Sequence, residues 1–267
     1  MTEFGGATMN QTGKRLACSE VWGGNRRADH AVELPGLAGW VHSSPLGPAS
    51  AGGDVYYFSV CSHGVLSRVV LADVAGHGGS ASSTAEGLHS ILRNHIDDWD
   101  QSMLMRELND AFERRSETSR YATAAVLGFY RETGELLFSN AGHPPPLWFR
   151  ALEKSWYWLR DGTPFAVGIE GLPLGMIPGT TYSQTGVRLG VGDVLLLYTD
   201  GITEATDPSN SELGYEGLLQ MVERVAGESP DEMVQDLISR IQGFRANAPR
   251  EDDDTLILLQ RVSTVGI

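Results

Sequence analysis

The chain has 267 residues, of which 41% are hydrophobic and 20% are charged. This is enough apolar side chain for a sizeable core, so a chain that is disordered throughout is excluded. The 34 acidic and 20 basic residues give a formal net charge of −14 at pH 7, and such a field repels nucleic-acid phosphates and anionic membrane surfaces. We therefore predict a folded protein that binds neither nucleic acid nor membrane.

The cysteine content and the N-terminal sequence bear on the compartment. Cys18 and Cys61 are the only cysteines, too few for a disulfide framework or a cysteine-based zinc site, which is typical of a reducing environment. No apolar stretch approaches the roughly 18 residues that a membrane-spanning helix needs. The N-terminus has neither a basic start nor a hydrophobic signal core. We expect a cytoplasmic protein.

The first third of the chain is predicted to lead from a flexible start into β-structure. Residues 1–15 are small, polar and glycine-rich, and we expect a flexible N-terminus. Residues 16–41 should contain at least one packed strand, and residues 45–53, rich in Pro, Gly and Ser, are typical of a loop. The β-type runs 55–61 and 67–74 are separated by a short turn and predict a hairpin.

Two helices and a second hairpin are predicted next. Apolar residues recur at helical spacing over residues 80–95 and 103–115. The β-type runs 124–130 and 135–140 are joined by a short loop in which Gly134 can take the left-handed position of the turn. The helices are therefore expected to be inserted between antiparallel strands.

The remaining sequence completes a β-rich pattern. Further strands are expected at residues 147–152, 156–160, 185–189, 194–198 and 255–262. Ser229-Pro230 predicts the start of a helix, because a capping side chain is followed by Pro in the first turn. No repeat and no long linker interrupts this order. We predict an α+β fold, a β-sandwich of two mainly antiparallel sheets flanked by helices, in a single domain from residue 16 to residue 267.

Aspartates stand at the ends of the predicted core strands. Asp54 opens one strand, Asp73 and Asp200 close two others, and three acids at residues 252–254 precede the last strand. A carboxylate beside a buried run is costly unless a cation or hydrogen-bond donors compensate it. Any one of these aspartates alone would be explained as a turn or cap residue. Four in the same context indicate one converging cluster.

The ligand chemistry of such a cluster points to hard cations. Carboxylates, backbone carbonyl oxygen and water suit Mg²⁺ or Mn²⁺. Two ions that share a carboxylate would lie roughly 3.5–4 Å apart and activate a water for in-line attack on phosphorus. Spacing alone leaves the reaction open, because nucleases and other phosphoryl-transfer enzymes also use acidic metal clusters.

Five motifs follow one another from about residue 52 to residue 262. They are Gly52-Gly53-Asp54, Leu71-Ala72-Asp73-Val74-Ala75-Gly76-His77-Gly78, Asn140-Ala141-Gly142-His143-Pro144-Pro145, Gly192-Asp193 with Tyr198-Thr199-Asp200-Gly201-Ile202-Thr203-Glu204-Ala205, and Asp252-Asp253-Asp254-Thr255. In this order they resemble the motifs of bacterial PPM-type serine/threonine phosphatases, in particular the SpoIIE and RsbU-like branch. The resemblance implies a β-sandwich flanked by helices and a dinuclear Mn²⁺ or Mg²⁺ site.

The resemblance also implies a role for each matching residue. Asp73 should bridge both ions, Asp54 and the Val74 carbonyl should complete one, and Asp200 and Asp252 should complete the other. Asp54, Asp73 and Asp200 are the expected catalytic residues. The reaction implied is hydrolysis of phosphoserine or phosphothreonine on a protein by a metal-activated water, with no covalent phosphoenzyme.

The chain departs from the family pattern near the second ion and on the first strand. Asp252 occupies the ligand position of the family, and because three acids are consecutive, Asp253 is the alternative ligand. Asp254 stands where an apolar residue is usual, which would alter the geometry beside the second ion. Tyr57 stands where the family often has a second aspartate, so the chain lacks the carboxylate that could act in the outer shell of the metal site.

The same resemblance suggests the partners. The substrate would be a small phosphorylated signalling protein, such as an anti-sigma-factor antagonist, and a regulatory protein could be a second partner. A catalytically weak or inactive binding module with this fold is the alternative, because Tyr57 and Asp254 depart from the pattern. The retained Asp54, Asp73 and Asp200 favour catalysis, since a scaffold has no need to collect negative charge around one point.

Two other chemistries are less well supported. His77 and His143 could be zinc ligands, or His77 a general acid, but no His-x-x-x-His spacing exists and we interpret both as loop histidines that hydrogen-bond to backbone. Ser80 lies between a strand and a helix, as a hydrolase nucleophile does. The sequence around it lacks the final glycine of that motif, and a helix N-cap explains Ser80 more simply.

Overall fold

A computed structural model describes most of the chain. The residues described are 19–24, 26–46, 52–61, 64–75, 79–94, 100–115, 121–160, 171–227 and 229–263. The predicted flexible N-terminus, Cys18 and His77 lie outside these ranges. No helix of the described residues is both long and apolar enough to cross a membrane.

The chain forms β-strands with two groups of helices between them. The strands are β1 (Ser19–Gly23), β2 (Ala28–Leu34), β3 (Leu37–Ser44), β4 (Asp54–Cys61), β5 (Leu66–Val74), β6 (Ala122–Tyr130), β7 (Glu135–Ala141), β8 (Leu147–Arg150), β9 (Ser155–Trp158), β10 (Thr185–Arg188), β11 (Val194–Tyr198) and β12 (Asp254–Arg261). The helices are α1 (Gly79–Asn94), α2 (Gln101–Arg115), α3 (Asp200–Thr203), α4 (Gly214–Val222) and α5 (Pro230–Arg245).

The strands form two antiparallel sheets that pack face to face. The first sheet has the order β1-β4-β5-β6-β7-β10 and the second the order β2-β3-β12-β11-β8-β9. Residues of both sheets, such as Phe58, Leu71, Leu197 and Ile257, form one buried cluster between them. Helices α1 and α2 cover the outer face of the first sheet, and α4 and α5 cover that of the second. The predicted α+β sandwich is confirmed.

Alternation along the central strands decides which side chains meet. In β5, Val69 and Leu71 pack between the sheets, whereas Val70 and Ala72 pack against the helices. Successive side chains of a strand point to opposite faces, so a residue's parity gives its side of the sheet. Asp73 shares the parity of Leu71 and therefore belongs to the face that looks toward the second sheet.

Both predicted hairpins are present. The first is β4 with β5, and the second is β6 with β7. Gly134 has a φ of 73°, the left-handed conformation that its turn requires and that glycine adopts without steric cost.

Other boundaries differ from the predictions for local reasons. Helix α2 begins at Gln101 rather than at residue 103, because the Asp100 carboxylate accepts hydrogen bonds from the amides of Ser102 and Met103 and caps the helix. Strand β8 ends at Arg150, where a turn begins and the Arg150 carbonyl accepts a hydrogen bond from the Lys154 amide.

The same turn sets the limits of β9, which covers Ser155–Trp158 rather than residues 156–160. Helix α4 was not predicted individually, although Leu218 and Val222 have i,i+4 spacing and are both buried in the second helical layer. The helix has only nine residues, so this apolar pattern is short and weak in the sequence.

Candidate metal centre

Asp54 and Asp73 lie opposite one another at one end of the first sheet. Asp54 opens β4, Asp73 stands next to the end of β5, and the two residues are directly paired in the antiparallel register. Cβ atoms of such pairs are about 4.5–5.5 Å apart, and like charges placed there destabilise a sheet. The sequence therefore sets two carboxylates side by side in an arrangement that needs a compensating charge.

The second sheet brings two more acidic segments to the same end of the sandwich. Strand β11 ends at Tyr198, and Asp200, two residues later, is the first residue of α3. Asp252 precedes β12, which pairs with β11. Gly201 allows these two segments to pack closely, because a Cβ at this position would overlap the Asp253 carbonyl oxygen and contact the Asp252 Cβ. The glycine after Asp200 is thus required by backbone packing.

The pKa values of Asp54, Asp73 and Asp200 are raised by burial and by neighbouring carboxylates. Burial raises the pKa of Asp54 well above its usual range, and the charge of Asp73 raises it further. Burial, Asp200 and Asp252 raise the pKa of Asp73 to about 7. Burial and Asp252 also raise the pKa of Asp200. Carboxylates that are far apart in the sequence therefore affect one another, two from the first sheet and two from segments next to strands of the second.

Asp54 is positioned by threonines that the sequence analysis did not identify. The Thr199 hydroxyl donates a hydrogen bond to Asp54 Oδ2 at 2.9 Å and accepts one from the Thr255 amide at 3.1 Å. Both threonines are fully buried. Thr199 follows β11 and Thr255 lies at the start of β12, beside the predicted ligands. A polar residue at the end of an apolar run was the sequence feature that could have identified them.

Val74 and Glu204 complete the surroundings of the cluster. The Val74 amide donates to the Gly53 carbonyl at 3.0 Å, which holds the end of β5 against the residue before Asp54. Glu204, in the motif that follows Asp200, adds a further negative charge that raises the pKa of Asp73.

The neighbouring acids Asp252 and Asp253 have different surroundings. The buried Asp253 accepts hydrogen bonds from the Leu46 amide at Oδ1 and from the Gly53 amide at Oδ2, both at 2.7 Å. Asp252 is exposed, and its Oδ1 accepts a hydrogen bond from the Asp253 amide at 2.7 Å. Both oxygens of Asp253 are therefore engaged by backbone donors, whereas Asp252 keeps an oxygen available.

Asp254 faces the opposite side of the second sheet. Its carboxylate accepts two hydrogen bonds from Arg245 of α5, at 2.6 and 2.7 Å, and Arg245 Nη2 also donates to the Gly201 carbonyl at 2.9 Å. Arg250 lies 3.6 Å from the same carboxylate. The acid that replaces an apolar residue is thus neutralised locally, and the pair is tied to the segment that carries Asp200.

Tyr57 also faces away from the cluster. It is buried among the residues that pack against α1 and α2, and its hydroxyl donates to Glu20 Oε2 at 3.3 Å. An aspartate at this position would project toward the helices, because residue 57 has the opposite parity to Asp54 in β4.

The donor set of the cluster fits a divalent cation. Among the residues that the structure describes, no three histidine, cysteine, aspartate or glutamate side chains are already arranged as the shell of one ion. Within the same ranges, Asp54, Asp73 and Asp200 form no ion pair with a basic side chain. Their charge is left for a cation to balance, and carboxylate oxygens are ligands that hard cations prefer. Backbone oxygen and water would have to complete a shell.

The histidine and serine alternatives gain no support. His143 is buried, its Nδ1 lies 2.8 Å from the Thr123 hydroxyl, and its amide donates to Asn140 Oδ1 at 2.8 Å. Burial lowers the pKa of His143 to about 3, so its imidazole is uncharged at neutral pH. The ring contacts the Thr123 hydroxyl, whereas the sequence analysis predicts a hydrogen bond to backbone. His77 and the side chain of Ser80 lie outside the described part of the chain.

Sequence comparison gives the family. The family model described as "Stage II sporulation protein E (SpoIIE)" matches residues 66–262, which is most of the chain and includes Asp73, Asp200 and Asp252. The chain belongs to the SpoIIE family. Asp54 lies just outside the matched range, and its place in the cluster rests on its pairing with Asp73.

Individual relatives agree with this family. The chain is 26% identical to "Phosphoserine phosphatase RsbU" of Bacillus subtilis over 217 residues, 78% of this chain and 59% of that protein. It is similar to the RsbU and RsbW domains of Rv1364c from Mycobacterium tuberculosis, with a TM-score of 0.73, 25% identity and coverage of 91% of this chain and 64% of that one.

The SpoIIE phosphatase itself has the same fold. The structure of the PP2C phosphatase domain and a regulatory fragment of SpoIIE from Bacillus subtilis matches with a TM-score of 0.70 at 17% identity, over 86% of this chain and 64% of that one. The chain therefore spans less than two thirds of the length of each of these three proteins. The two sheets with flanking helices are the PP2C-type architecture.

Proposed function

We propose that this member of the SpoIIE family is a metal-dependent protein phosphatase that hydrolyses phosphoserine or phosphothreonine. The observation that carries the proposal is the cluster of Asp54, Asp73, Asp200 and Asp252. Burial and neighbouring carboxylates raise the pKa values of the first three, which have no basic partner among the described residues. Similarity to a phosphoserine phosphatase supports the substrate class.

We assign the cluster to two divalent cations, Mg²⁺ or Mn²⁺. Asp73 would be the ligand shared by both ions, because Asp200 and Asp252 raise its pKa while its direct pairing partner is Asp54. Asp54 and the Val74 carbonyl would hold the first ion, and Asp200 and Asp252 would hold the second. When bound, such a pair polarises the phosphoryl oxygens and lowers the pKa of a water that can attack phosphorus in line.

Asp252 is the better ligand of the two acids that the sequence left open. Asp253 uses both carboxylate oxygens to hold the Leu46 and Gly53 amides, so turning it toward a cation would leave two backbone donors unpaired. This supports a structural role for Asp253, which fixes the residue before Asp54.

The remaining polar residues keep the carboxylates in place. Thr199 orients Asp54 through its hydroxyl, and Gly201 lets the segment after Asp200 pack on that of Asp252. Holding ligands within a narrow range of positions before the substrate arrives is what makes such a site effective.

We propose a phosphorylated signalling protein as the substrate, and an anti-sigma-factor antagonist is the candidate that the family resemblance suggests. The chain is similar to a polypeptide that contains both an RsbU and an RsbW domain, and this similarity supports a regulatory protein as a second partner. The strong net charge of −14 favours a substrate whose surface around the phosphorylated residue is basic.

The decisive experiment measures hydrolysis of an aryl phosphate and of a phosphoserine peptide with Mn²⁺, Mg²⁺ or EDTA. Turnover should require the metal and should fall by more than about a hundredfold in Asp73→Asn and Asp200→Asn, since even outer-shell changes cost metal sites 10- to 100-fold. Glu223→Gln, which removes an exposed carboxylate at the end of α4, is the matched control and should keep full activity.

Two other outcomes would redirect the assignment. Metal binding without turnover on either substrate would favour a binding module with the phosphatase fold. Activity that survives EDTA but is lost in Ser80→Ala would favour the serine hydrolase.

A further inference from the structure

A cavity of about 580 Å³ lies on the outer face of the second sheet, beneath α5. Its wall includes Arg27, His42, Arg245, Arg250 and Gln242. A volume of this size is in the range of small-molecule sites, in which a few polar groups orient the ligand. The lining is rich in hydrogen-bond donors.

The cavity is separated from the metal centre by one layer of backbone. Asp254 and Leu256 of β12 line it, whereas Thr255 between them faces the other way and donates an amide hydrogen bond to Thr199 in the metal centre. Because successive side chains of a strand alternate between faces, the two sites share a strand and no side-chain surface.

Two arginine side chains contact the same hydroxyl, that of Ser44, in the cavity wall. Arg250 Nη1 lies 2.6 Å from the Ser44 hydroxyl, and Arg27 Nη2 lies 3.4 Å from the same oxygen. Two guanidinium groups that converge on one neutral oxygen repel each other. Arg250 also donates to the Pro45 carbonyl at 2.6 Å, which holds it in place, while Arg27 is exposed and makes only the long contact among the described residues.

The carboxylates of the cavity do not balance this charge. Asp254 is engaged by both nitrogens of Arg245 and lies 3.6 Å from Arg250. Asp29 accepts hydrogen bonds from the indole of Trp40 at 2.5 Å and from the side chain of Gln235 at 3.1 Å. Each carboxylate therefore already has its own partners.

A surplus of positive charge remains. The three arginines of the lining face two aspartates, a formal excess of one positive charge in a chain whose net charge is −14. His42 adds a further nitrogen, Nδ1, which is buried and has no hydrogen-bond partner among the described residues, 3.6 Å from Asp29 Oδ2.

We propose that this cavity is a binding site for a small anion, held by the guanidinium groups of Arg27 and Arg250 through a phosphate or carboxylate group of the ligand. Guanidinium presents paired N–H donors that match both oxyanions. Gln242 and Asn247 in the same wall are placed to hydrogen-bond the polar remainder of the molecule. The site does not depend on the phosphatase assignment.

The test is calorimetric titration of the full chain with inorganic phosphate and, separately, with citrate, after EDTA has removed any cation from the metal centre and has itself been removed by dialysis. We expect saturable binding of at least one of them. Arg27→Gln should weaken it about tenfold, the loss expected for one charge-assisted hydrogen bond of roughly 1.5 kcal/mol. Arg106→Gln, which removes an exposed arginine of α2 on the opposite sheet, should bind as the parent chain does.

The outcomes are distinct. Phosphate binding alone assigns the site to a phosphorylated ligand, citrate binding alone to a carboxylate ligand, and binding of both to oxyanions in general. Absence of saturable binding of either anion at millimolar concentration overturns the proposal. So does binding that is as tight in Arg27→Gln as in the parent chain, provided that both melt at the same temperature. Because activity is not the readout, a failure here is distinct from a failure of the proposed function.

Discussion

Buried carboxylates on the two sides of the second sheet have opposite surroundings. On the outer side, Asp254 accepts two charged hydrogen bonds from Arg245. At the far end of the sheet, Asp193 accepts hydrogen bonds from the Trp148 indole at 3.0 Å and from the Ala151 and Gly190 amides at 2.9 and 2.8 Å. These acids are compensated within the protein.

On the inner side, between the two sheets, Asp54 and Asp73 of the first sheet have no basic partner among the described residues. Burial and four neighbouring carboxylates together raise the pKa of Asp73 to about 7. The comparison teaches that burial of an acid does not identify a functional site. What identifies it is the burial of several carboxylates together without a basic side chain, because a bound cation would relieve their mutual repulsion.

The largest effect on stability is expected from the loss of Arg245, which neutralises Asp254 on the outer side of the second sheet. Arg245→Met leaves Asp254 buried with only the more distant Arg250 beside it, and removal of one partner of a buried ion pair costs about 3–5 kcal/mol. We expect a loss of this size in the free energy of unfolding measured with urea.

The double variant Arg245→Met with Asp254→Leu is the control. It removes both charges and should recover most of the loss, since apolar residues of similar volume can replace a buried pair. A single variant as stable as the parent chain would contradict the distinction between the two sides.

His143 offers a third way of burying an ionisable group, which is to stay neutral. Its pKa is lowered by burial from 6.5 to about 3, so between these values the unfolded chain binds the proton and the folded chain does not. The contribution of His143 to stability is therefore fully present above pH 6.5 and falls as the pH drops toward 3, by up to about 5 kcal/mol. The raised pKa of Asp73 acts in the opposite direction over the same range, so urea unfolding at pH 7 and pH 4 reveals the His143 contribution as a difference between the parent chain and a variant.

The variant His143→Gln isolates this contribution. It cannot take up the proton, so its loss of stability between pH 7 and pH 4 should be smaller than that of the parent chain. Equal losses in the two proteins would show that His143 is not the group responsible.

The adjacent acids Asp252 and Asp253 allow a metal ligand and a structural carboxylate to be compared within one segment. Asp252→Asn should weaken Mn²⁺ binding by about a hundredfold and leave the stability without metal unchanged or higher, because it removes a repulsive charge. Asp253→Asn should lower the free energy of unfolding by about 2 kcal/mol, because two amides lose a charged acceptor. Calorimetric metal titration and urea unfolding separate the two effects. The reverse pattern would make Asp253 the ligand.

The smallest effect is expected at Thr199. Thr199→Val keeps the shape but removes the hydroxyl that bonds both Asp54 and the Thr255 amide, and each of these two hydrogen bonds contributes about 1 kcal/mol. We expect this loss in unfolding experiments together with a weaker affinity for Mn²⁺. Thr185→Val on the edge strand β10 is the control and should leave the metal affinity unchanged, whereas an equal change in both would exclude a positioning role.

Much of the fold was predictable because it depends on local patterns. The hairpins 55–61 with 67–74 and 124–130 with 135–140 were visible as β-type runs with short turns, and both are present. The start of α2 and the whole of α4 were not predicted. The first depends on a side-chain cap at Asp100, and the second on an apolar face too short to stand out.

The candidate site was predictable in its residue types and less so in its arrangement. Strand-end aspartates indicated a cluster, yet nothing local distinguishes Asp252, Asp253 and Asp254, which are neighbours in the sequence. Asp253 holds Gly53, 200 positions away, and Asp254 holds Arg245 on the opposite face. Such roles follow from strand parity combined with partners elsewhere in the chain.

The sequence by itself determined the sandwich, the order of its strands along the chain and the supply of acids at strand ends, because alternation, turn residues and net charge are local or additive properties. Only the tertiary structure decided which acids remain without a partner, since compensation of a buried charge depends on donors that folding brings from distant segments. The same reason explains the arginine-lined cavity beneath α5, where three guanidinium groups meet that the sequence places on separate elements.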